Sequence, residues 1–358
     1  MHSAHRRALC QAALAALTGV PLVARAQATD SAAVMHLRDG SISRLPPAAE
    51  AQKSSDSPAP RAARPGRWSA RAPLPFPRSE MAWAAAWNGR MYVVGGFGNL
   101  RVDRNYHHVY DAAKNVWSEA AGLPRGASHI GLAAADGLVY AVGGYIEQNR
   151  LPHDEVFVFD IARGEWRSGT PLGRARAAAS VVALNGRIHV IGGAGGREIR
   201  KSVDWHEAYD PASGKWETRA PLPEARDHAA AAVLGGRIHF AGGRFDGSNR
   251  HSDLHHVYDP QTDAWEKRAP LPTARSGLAC AVLRERLYML GGESAGRVHG
   301  QNESYDAAAD RWESCAPVPT PRHGAGAVAL GDAIVFAGGA PAVGTNYLTS
   351  VTEAFSLA

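Results

Sequence analysis

Six glycine doublets divide most of this chain into near-equal parts. They stand at Gly95-Gly96, Gly143-Gly144, Gly192-Gly193, Gly242-Gly243, Gly291-Gly292 and Gly338-Gly339, spaced 48, 49, 50, 49 and 47 residues apart. A fixed period near 50 residues means one supersecondary unit used repeatedly, because a unit of that size cannot bury its apolar face alone and must stack on its neighbours. Two more landmarks follow each doublet in constant order. Aromatic-Asp pairs occur at Tyr110-Asp111, Phe159-Asp160, Tyr209-Asp210, Tyr258-Asp259 and Tyr305-Asp306, with Phe355-Ser356 in the last unit. Single tryptophans come next, at Trp117, Trp166, Trp216, Trp265 and Trp312. The sixth unit lacks its tryptophan, and Trp68 stands ahead of the first doublet.

Between landmarks the residues read as four strands per unit. An Ala and Val run such as Ala229-Ala230-Ala231-Ala232 predicts an innermost strand, where small side chains suit a crowded axis. Asn88-Gly89, Asp136-Gly137, Asn185-Gly186 and Gly235-Gly236 then supply the positive φ angles that two-residue hairpins need, which argues against an Ala-rich helix. A β-branched and aromatic strand such as Met91-Tyr92-Val93-Val94 runs into the doublet, the third strand ends at the aromatic-Asp pair and the fourth carries the tryptophan.

These ordered landmarks resemble the kelch repeat, and the resemblance covers the chain from about Arg67 to Ala358. It implies an all-β fold, a six-bladed kelch β-propeller of four-stranded antiparallel blades. The mismatched ends predict that residues near Arg67 to Ala70 supply the outer strand of the last blade, whose other strands occupy about Gly324 to Leu357, closing the ring and removing an exposed edge.

Residues 1–28 read as a signal peptide: Arg6 and Arg7 precede a weakly apolar stretch from Ala8 to Ala24, and overlapping A-x-A sites favour cleavage after Ala28. The adjacent arginines resemble a twin-arginine signal. Residues 29–66, rich in Ala, Pro and Ser, read as a disordered spacer, leaving 67–358 for the propeller. A periplasmic or secreted monomer without a membrane anchor is expected. Cys280 and Cys315 are expected to be free and structural. The net charge of +5 includes the leader and spacer, so no nucleic-acid partner is expected.

In kelch propellers ligands are met at the mouth formed by the loops between blades and after the doublets. The between-blade column carries Arg78, Arg176, Arg226, Arg275 and Arg322, with Ala127 breaking the pattern. Guanidinium forks converging on one mouth would suit an anionic peptide or glycan; alternatively, each arginine ties its loop to the next blade. Residues that do not repeat are the sharper candidates, since a scaffold needs the same thing in every blade: Glu80, His129, Asp227, His228 and His323 beside the arginines, and Phe97, Tyr145, Arg244, Asp246 and Glu293 after the doublets. Asp227 and His228 could form an acid-base unit only in a loop, because strand neighbours face opposite ways.

His107-His108, His206, His251 and His255-His256 fall mainly in third strands or long loops, and no H-E-x-x-H, C-x-x-C or phosphate-cradling loop occurs; no metal and no cofactor are expected. The functional expectation is a ligand- or protein-binding module, alternatively a sugar-processing enzyme resembling the N-acetylneuraminate epimerases. A galactose-oxidase-like copper enzyme is a third reading, in which Cys280 would supply the thioether.

Overall fold

A computed structural model describes residues 34–36, 42–44 and 66–357, except 82, 197–198, 247–249 and 345–346. The expected signal segment and most of the expected spacer lie outside the described residues; within the spacer, Val34–His36 pairs antiparallel with Ile42–Arg44.

Six four-stranded antiparallel sheets form a β-propeller. Blade 1 runs outward from Ala85–Trp87 through Arg90–Val94 and His107–Asp111 to Val116–Glu119. Blades 2 to 5 repeat the order, beginning at Gly131–Ala135, Ser180–Leu184, Ala230–Leu234 and Ala279–Leu283. Blade 6 contains Gly326–Leu330, Ala333–Ala337 and Thr352–Ser356, and its outermost strand is Arg67–Ala70, paired with Trp68 opposite Phe355. Separate apolar clusters fill the wedge between each blade and the next, including one in which Met91 and Val93 of blade 1 join Val328 and Val335 of blade 6.

The landmarks have mechanical roles. Each aromatic of the aromatic-Asp pair lies directly across from its tryptophan, Tyr110 opposite Trp117 and Tyr305 opposite Trp312 for example, with ring centroids 5.1 and 5.0 Å apart. All six tryptophans that form the repeat donate Nε1–H to a backbone carbonyl in the connection that leads from the preceding blade into their own: Trp117 to Ala72, Trp166 to Ala121, Trp216 to Thr170, Trp265 to Ala220, Trp312 to Ala269 and Trp68 to Ala316. The second glycine of each doublet donates its amide to the next blade's connection, Gly96 to Ala127 and Gly339 to Arg78, both at 2.9 Å. A Cβ on Gly95 would lie 2.5 Å from the Ala127 oxygen, so only glycine permits that approach.

Trp68 therefore performs in blade 6 the work of the other five tryptophans. Trp68→Ala removes one aromatic pair and one hydrogen bond, and urea unfolding is expected to show a loss of about 3 kcal/mol, the lower end of the range for deleting a large aromatic because this one is only partly buried. A loss below about 1 kcal/mol would mean that the strand adds little to blade 6.

Blade 1 departs from the repeat at its inner strand. From Arg78 to Arg90 the chain is one residue longer than from Arg226 to Arg237 or from Arg176 to Arg187, and only three residues, Ala85–Trp87, form the strand where other blades use five. Trp83 lies in this longer stretch. Its indole N–H donates to the Leu278 carbonyl at 3.0 Å, in blade 5, with blade 6 intervening in ring order.

Candidate functional site

The connections entering the blades pass the axis in one conformation. The second residue after the arginine column is Glu80, His129, Ala178, His228, Gly277 or Gly324, and all six have φ between 48° and 60°. This left-handed turn points each amide at the preceding blade's carbonyl. His129 N donates to Glu80 O at 2.8 Å, Ala178 N to His129 O at 2.9 Å, His228 N to Ala178 O at 3.1 Å, Gly277 N to His228 O at 2.9 Å and Gly324 N to Gly277 O at 2.9 Å, a collar of backbone around the axis. A side chain in this conformation costs about 1–2 kcal/mol relative to glycine. Blades 5 and 6 use glycine, so Glu80, His129 and His228 are held against the local backbone preference.

Their side chains meet. Glu80 Oε2 is 3.2 Å from His129 Nε2, and Glu80 Oε1 is 3.2 Å from His323 Nε2. Gly324 makes room, since a Cβ there would lie 2.9 Å from the Glu80 carboxyl. His323 Nε2 also faces Glu293 Oε2 at 3.4 Å, and Glu293 Oε1 accepts from Arg244 Nη1 at 3.1 Å. Arg244 continues the chain through Nε to Asp227 Oδ1 at 3.2 Å and through Nη2 to His228 Nε2 at 3.0 Å. Asp227 and His228 are joined directly, Nδ1 to Oδ1 at 2.5 Å, which the left-handed backbone at His228 permits although the two are chain neighbours.

Because Arg244 can only donate to His228 Nε2, the His228 proton lies on Nδ1 and is shared with Asp227. Burial and then the Arg244 guanidinium hold His228 well below the usual imidazole range, so it is neutral. Burial alone would raise the Asp227 carboxyl, but His228, Arg200 and Arg244 outweigh it and keep Asp227 ionised. Burial likewise opposes charge on Glu80, and the imidazoles of His129 and His323 reverse that, holding it well below the carboxylate range. For His323 burial favours the neutral ring, yet Glu293 and Glu80 push it up to about 9. Alternating charges thus run Asp227, Arg244, Glu293, His323, Glu80, all buried except the half-buried Arg244.

The arginine column requires a correction. Arg78, Arg176, Arg226, Arg275 and Arg322 are at most 1% exposed and do not line the mouth. Each reaches into its own blade, to the second residue of the third strand: Arg176 to Glu207, Arg275 to Glu303 at 2.6 Å, Arg322 to Glu353 at 2.6 Å, Arg78 to His108 at 2.9 Å and Arg226 to His256 at 3.1 Å. Where Ala127 replaces the arginine, the partner position holds Phe157. A guanidinium inside a blade needs several fixed acceptors, and backbone carbonyls supply further ones, as Gly242 O does for Arg226 Nε at 3.1 Å and Gly291 O for Arg275 Nε at 2.7 Å. These five arginines are scaffold.

Of the residues chosen because they do not repeat, Tyr145 joins the cluster, its ring 5.4 Å from that of His129, and Phe97 packs on the same imidazole at 5.7 Å. Asp246 lies at the exposed rim, bonded to Ser202. Three participants escaped sequence reasoning. Arg200 lies over the Tyr145 ring at 4.9 Å and 3.9 Å from Asp227 Oδ1; Ser202 donates to Asp227 Oδ2 at 2.6 Å; Trp83 lies in the longer stretch of blade 1. The signal for Trp83 was a residue count. Arg200 and Ser202 lie in the loop after the third doublet, whose counterparts pair in the same way but differ in length, so the sequence alone did not align them.

Other candidate ligands sort differently. His107, His206 and His255 use Nδ1 on the carbonyls of Ala121, Ala220 and Ala269, one recurrent scaffold bond. Neither Cys280 nor Cys315 forms a disulfide. Burial pushes the Cys280 thiol up to about 12, and it donates to Ala231 O at 3.1 Å. Among the described residues one set has metal-ligand spacing: donor atoms of Glu80, His129 and His228 lie within 4.8 Å of one another.

No curated protein matches this chain in sequence. A solved structure titled "Structure of YjhT" superposes with a TM-score of 0.68 at 16% identity over 79% of this chain and 96% of that one, a likeness of fold. The family model for the Kelch-repeats domain of KLHDC2, KLHL20 and DRC7 matches residues 128–339, more than half of the sequence. With the glycine doublets, tryptophan ties and six blades already described, that match places the chain in the kelch-repeat family.

Proposed function

We propose that this protein is an exported binding module that takes a small anionic ligand, the carboxylate of a glycan or the acidic end of a peptide, at the axial cluster. The observation that carries the reading is Arg200. Its side chain is 27% exposed at the edge of the buried cluster, stacked on Tyr145, with Asp227 3.9 Å away as a loose ion-pair partner. Its guanidinium is therefore open to a bidentate carboxylate, with Arg244 adjacent through His228. The column arginines play no part in this reading.

Isothermal titration with N-acetylneuraminate, glucuronate and an Asp/Glu-terminated peptide tests it. At least one should saturate, and Arg200→Ala should weaken it about 10- to 100-fold, the worth of one charge-assisted pair. No binding of any acidic probe, or unchanged affinity in Arg200→Ala, overturns the reading.

A second reading, an acid-base enzyme of the sugar epimerase type, draws on the Asp227–His228 dyad with Glu80 and His129 opposite it, the rings of the two histidines 5.0 Å apart. NMR exchange of sialic-acid anomers faster than the uncatalysed rate supports it; an unchanged rate removes it.

A further inference from the structure

We propose that Glu80, His129 and His228 form a binding site for one divalent transition-metal ion, of the two-histidine, one-carboxylate type. The donor atoms come from blades 1, 2 and 4, and the collar brings them together. His129 Nε2 and Glu80 Oε2 are 3.2 Å apart, close to the edge of about 3.3 Å expected of a tetrahedron with arms of 2.0–2.1 Å.

The surrounding groups argue more strongly than the distances. Ring orientation at a metal is fixed by what the second imidazole nitrogen bonds. Here both histidines use Nδ1 on the side chain of the residue just before them, His228 on the Asp227 carboxylate at 2.5 Å and His129 on Ser128 Oγ at 3.1 Å. His129 thereby presents Nε2 to Glu80, and in His228 it is Nε2 that is left without a bond to Asp227, with a donor atom of each of the three residues within 4.8 Å of the others. Neither arrangement belongs to the repeat, whose other copies hold Ala178, Gly277 and Gly324 at this position. A backbone conformation that glycine adopts more cheaply is kept by three side chains that share one point in space.

His323, only 1% exposed, holds the other oxygen of Glu80, its Nε2 3.2 Å from Glu80 Oε1 and 3.4 Å from Glu293 Oε2. Arg244 Nη2 holds the His228 Nε2 lone pair at 3.0 Å; its bonds to Asp227 and Glu293 remain when an ion takes that lone pair. The buried carboxylates of Glu80, Asp227 and Glu293 offset the added charge. The inference shares its site with the anion-binding reading but does not depend on it, so the ion is tested with no sugar or peptide present.

The experiment uses the full chain without a polyhistidine tag, stripped with chelator and titrated with Zn²⁺ and, for contrast, Mg²⁺. One Zn²⁺ per chain should bind at micromolar or tighter affinity while Mg²⁺ gives no saturable heat. Cobalt should give visible d–d bands that Zn²⁺ abolishes. His129→Gly and His228→Gly preserve the collar conformation already used by Gly277 and Gly324, and each should weaken Zn²⁺ at least 100-fold. Asp227→Asn should weaken it about 10- to 100-fold by releasing the ring it orients. Absence of one-site Zn²⁺ binding to the unaltered chain, or affinity within threefold of it in both glycine variants, overturns the site. If either glycine variant does not fold, the cobalt spectrum of the unaltered chain decides: a spectrum without d–d bands is equally fatal.

Discussion

Glu303→Ala is expected to remove about 3–5 kcal/mol of stability, seen as a lower urea midpoint at unchanged slope. The cause is what the substitution leaves behind. Arg275 is fully buried, with Nη1 2.6 Å from Glu303 Oε2 and its remaining donors on the carbonyls of Thr273, Met289 and Gly291. Those carbonyls satisfy hydrogen bonds but carry no charge. Without the carboxylate a guanidinium stays inside a β-sheet with no counter-ion, and Thr273 Oγ1 loses its acceptor as well.

The sequence already contains the compensated alternative. Blade 2 has Ala127 in place of the arginine and Phe157 opposite, and its sheet has the same four strands in the same order. Arg275→Ala combined with Glu303→Phe should therefore recover most of the loss, because removing both partners of a buried pair is often neutral where removing one is not. Measured changes below 1 kcal/mol for Glu303→Ala, or no recovery in the double variant, would show that the column arginines are not scaffold and return them to the ligand mouth.

The same column shows where sequence reading succeeds and where it stops. Blade number, strand order and the small innermost strands were legible because each rests on a feature repeated at a fixed period, so independent copies report one geometry. The meaning of the arginines was legible only in outline. Their recurrence suggested scaffold, but whether a side chain points toward the axis or back into its blade depends on the third-strand residue it meets, nearly 30 positions away. The correspondence of Ala127 with Phe157, and of the arginines with His108, Glu207, His256, Glu303 and Glu353, was present in the sequence but visible only once the strands were in register. The axial cluster answers to the opposite criterion, failure to repeat, which picked out Glu80, His129, Asp227, His228, Arg244, Glu293 and His323, side chains that the structure brings together. It missed Trp83, in the stretch that is one residue longer than its counterparts, and Arg200, because the loops that follow the doublets differ in length from blade to blade and so hide their register.

Acid should unfold this protein near pH 5, far above the range in which carboxylate protonation alone usually acts. Five imidazoles between the blades, His107, His189, His206, His239 and His255, are held by burial at about 4, 4, 3, 4 and 3. The hydrogen bonds of His206 and His255 need the neutral ring. His206 Nδ1–H goes to Ala220 O at 3.2 Å, leaving Nε2 to accept from His189 at 2.9 Å, and His255 repeats this with Ala269 and His239. In the unfolded chain each titrates near 6.5. Since the folded values are depressed, the unfolded chain binds more protons as soon as pH drops below 6.5, and stability falls until the folded values are reached. At pH 5 each ring contributes a loss of about 2 kcal/mol, so five together approach the whole stability of an ordinary domain. His323, raised to about 9, acts in the opposite sense but is a single group. Blade 5 supplies the control, since Asn302 stands where His206 and His255 do and makes the same bond to Ala316 O at 3.0 Å. The triple substitution His107→Asn, His206→Asn, His255→Asn should move the acid midpoint, followed by tryptophan fluorescence, down by about half a pH unit or more. Stability that stays flat between pH 7 and 5, or a midpoint the triple variant does not move, would assign acid sensitivity to other groups.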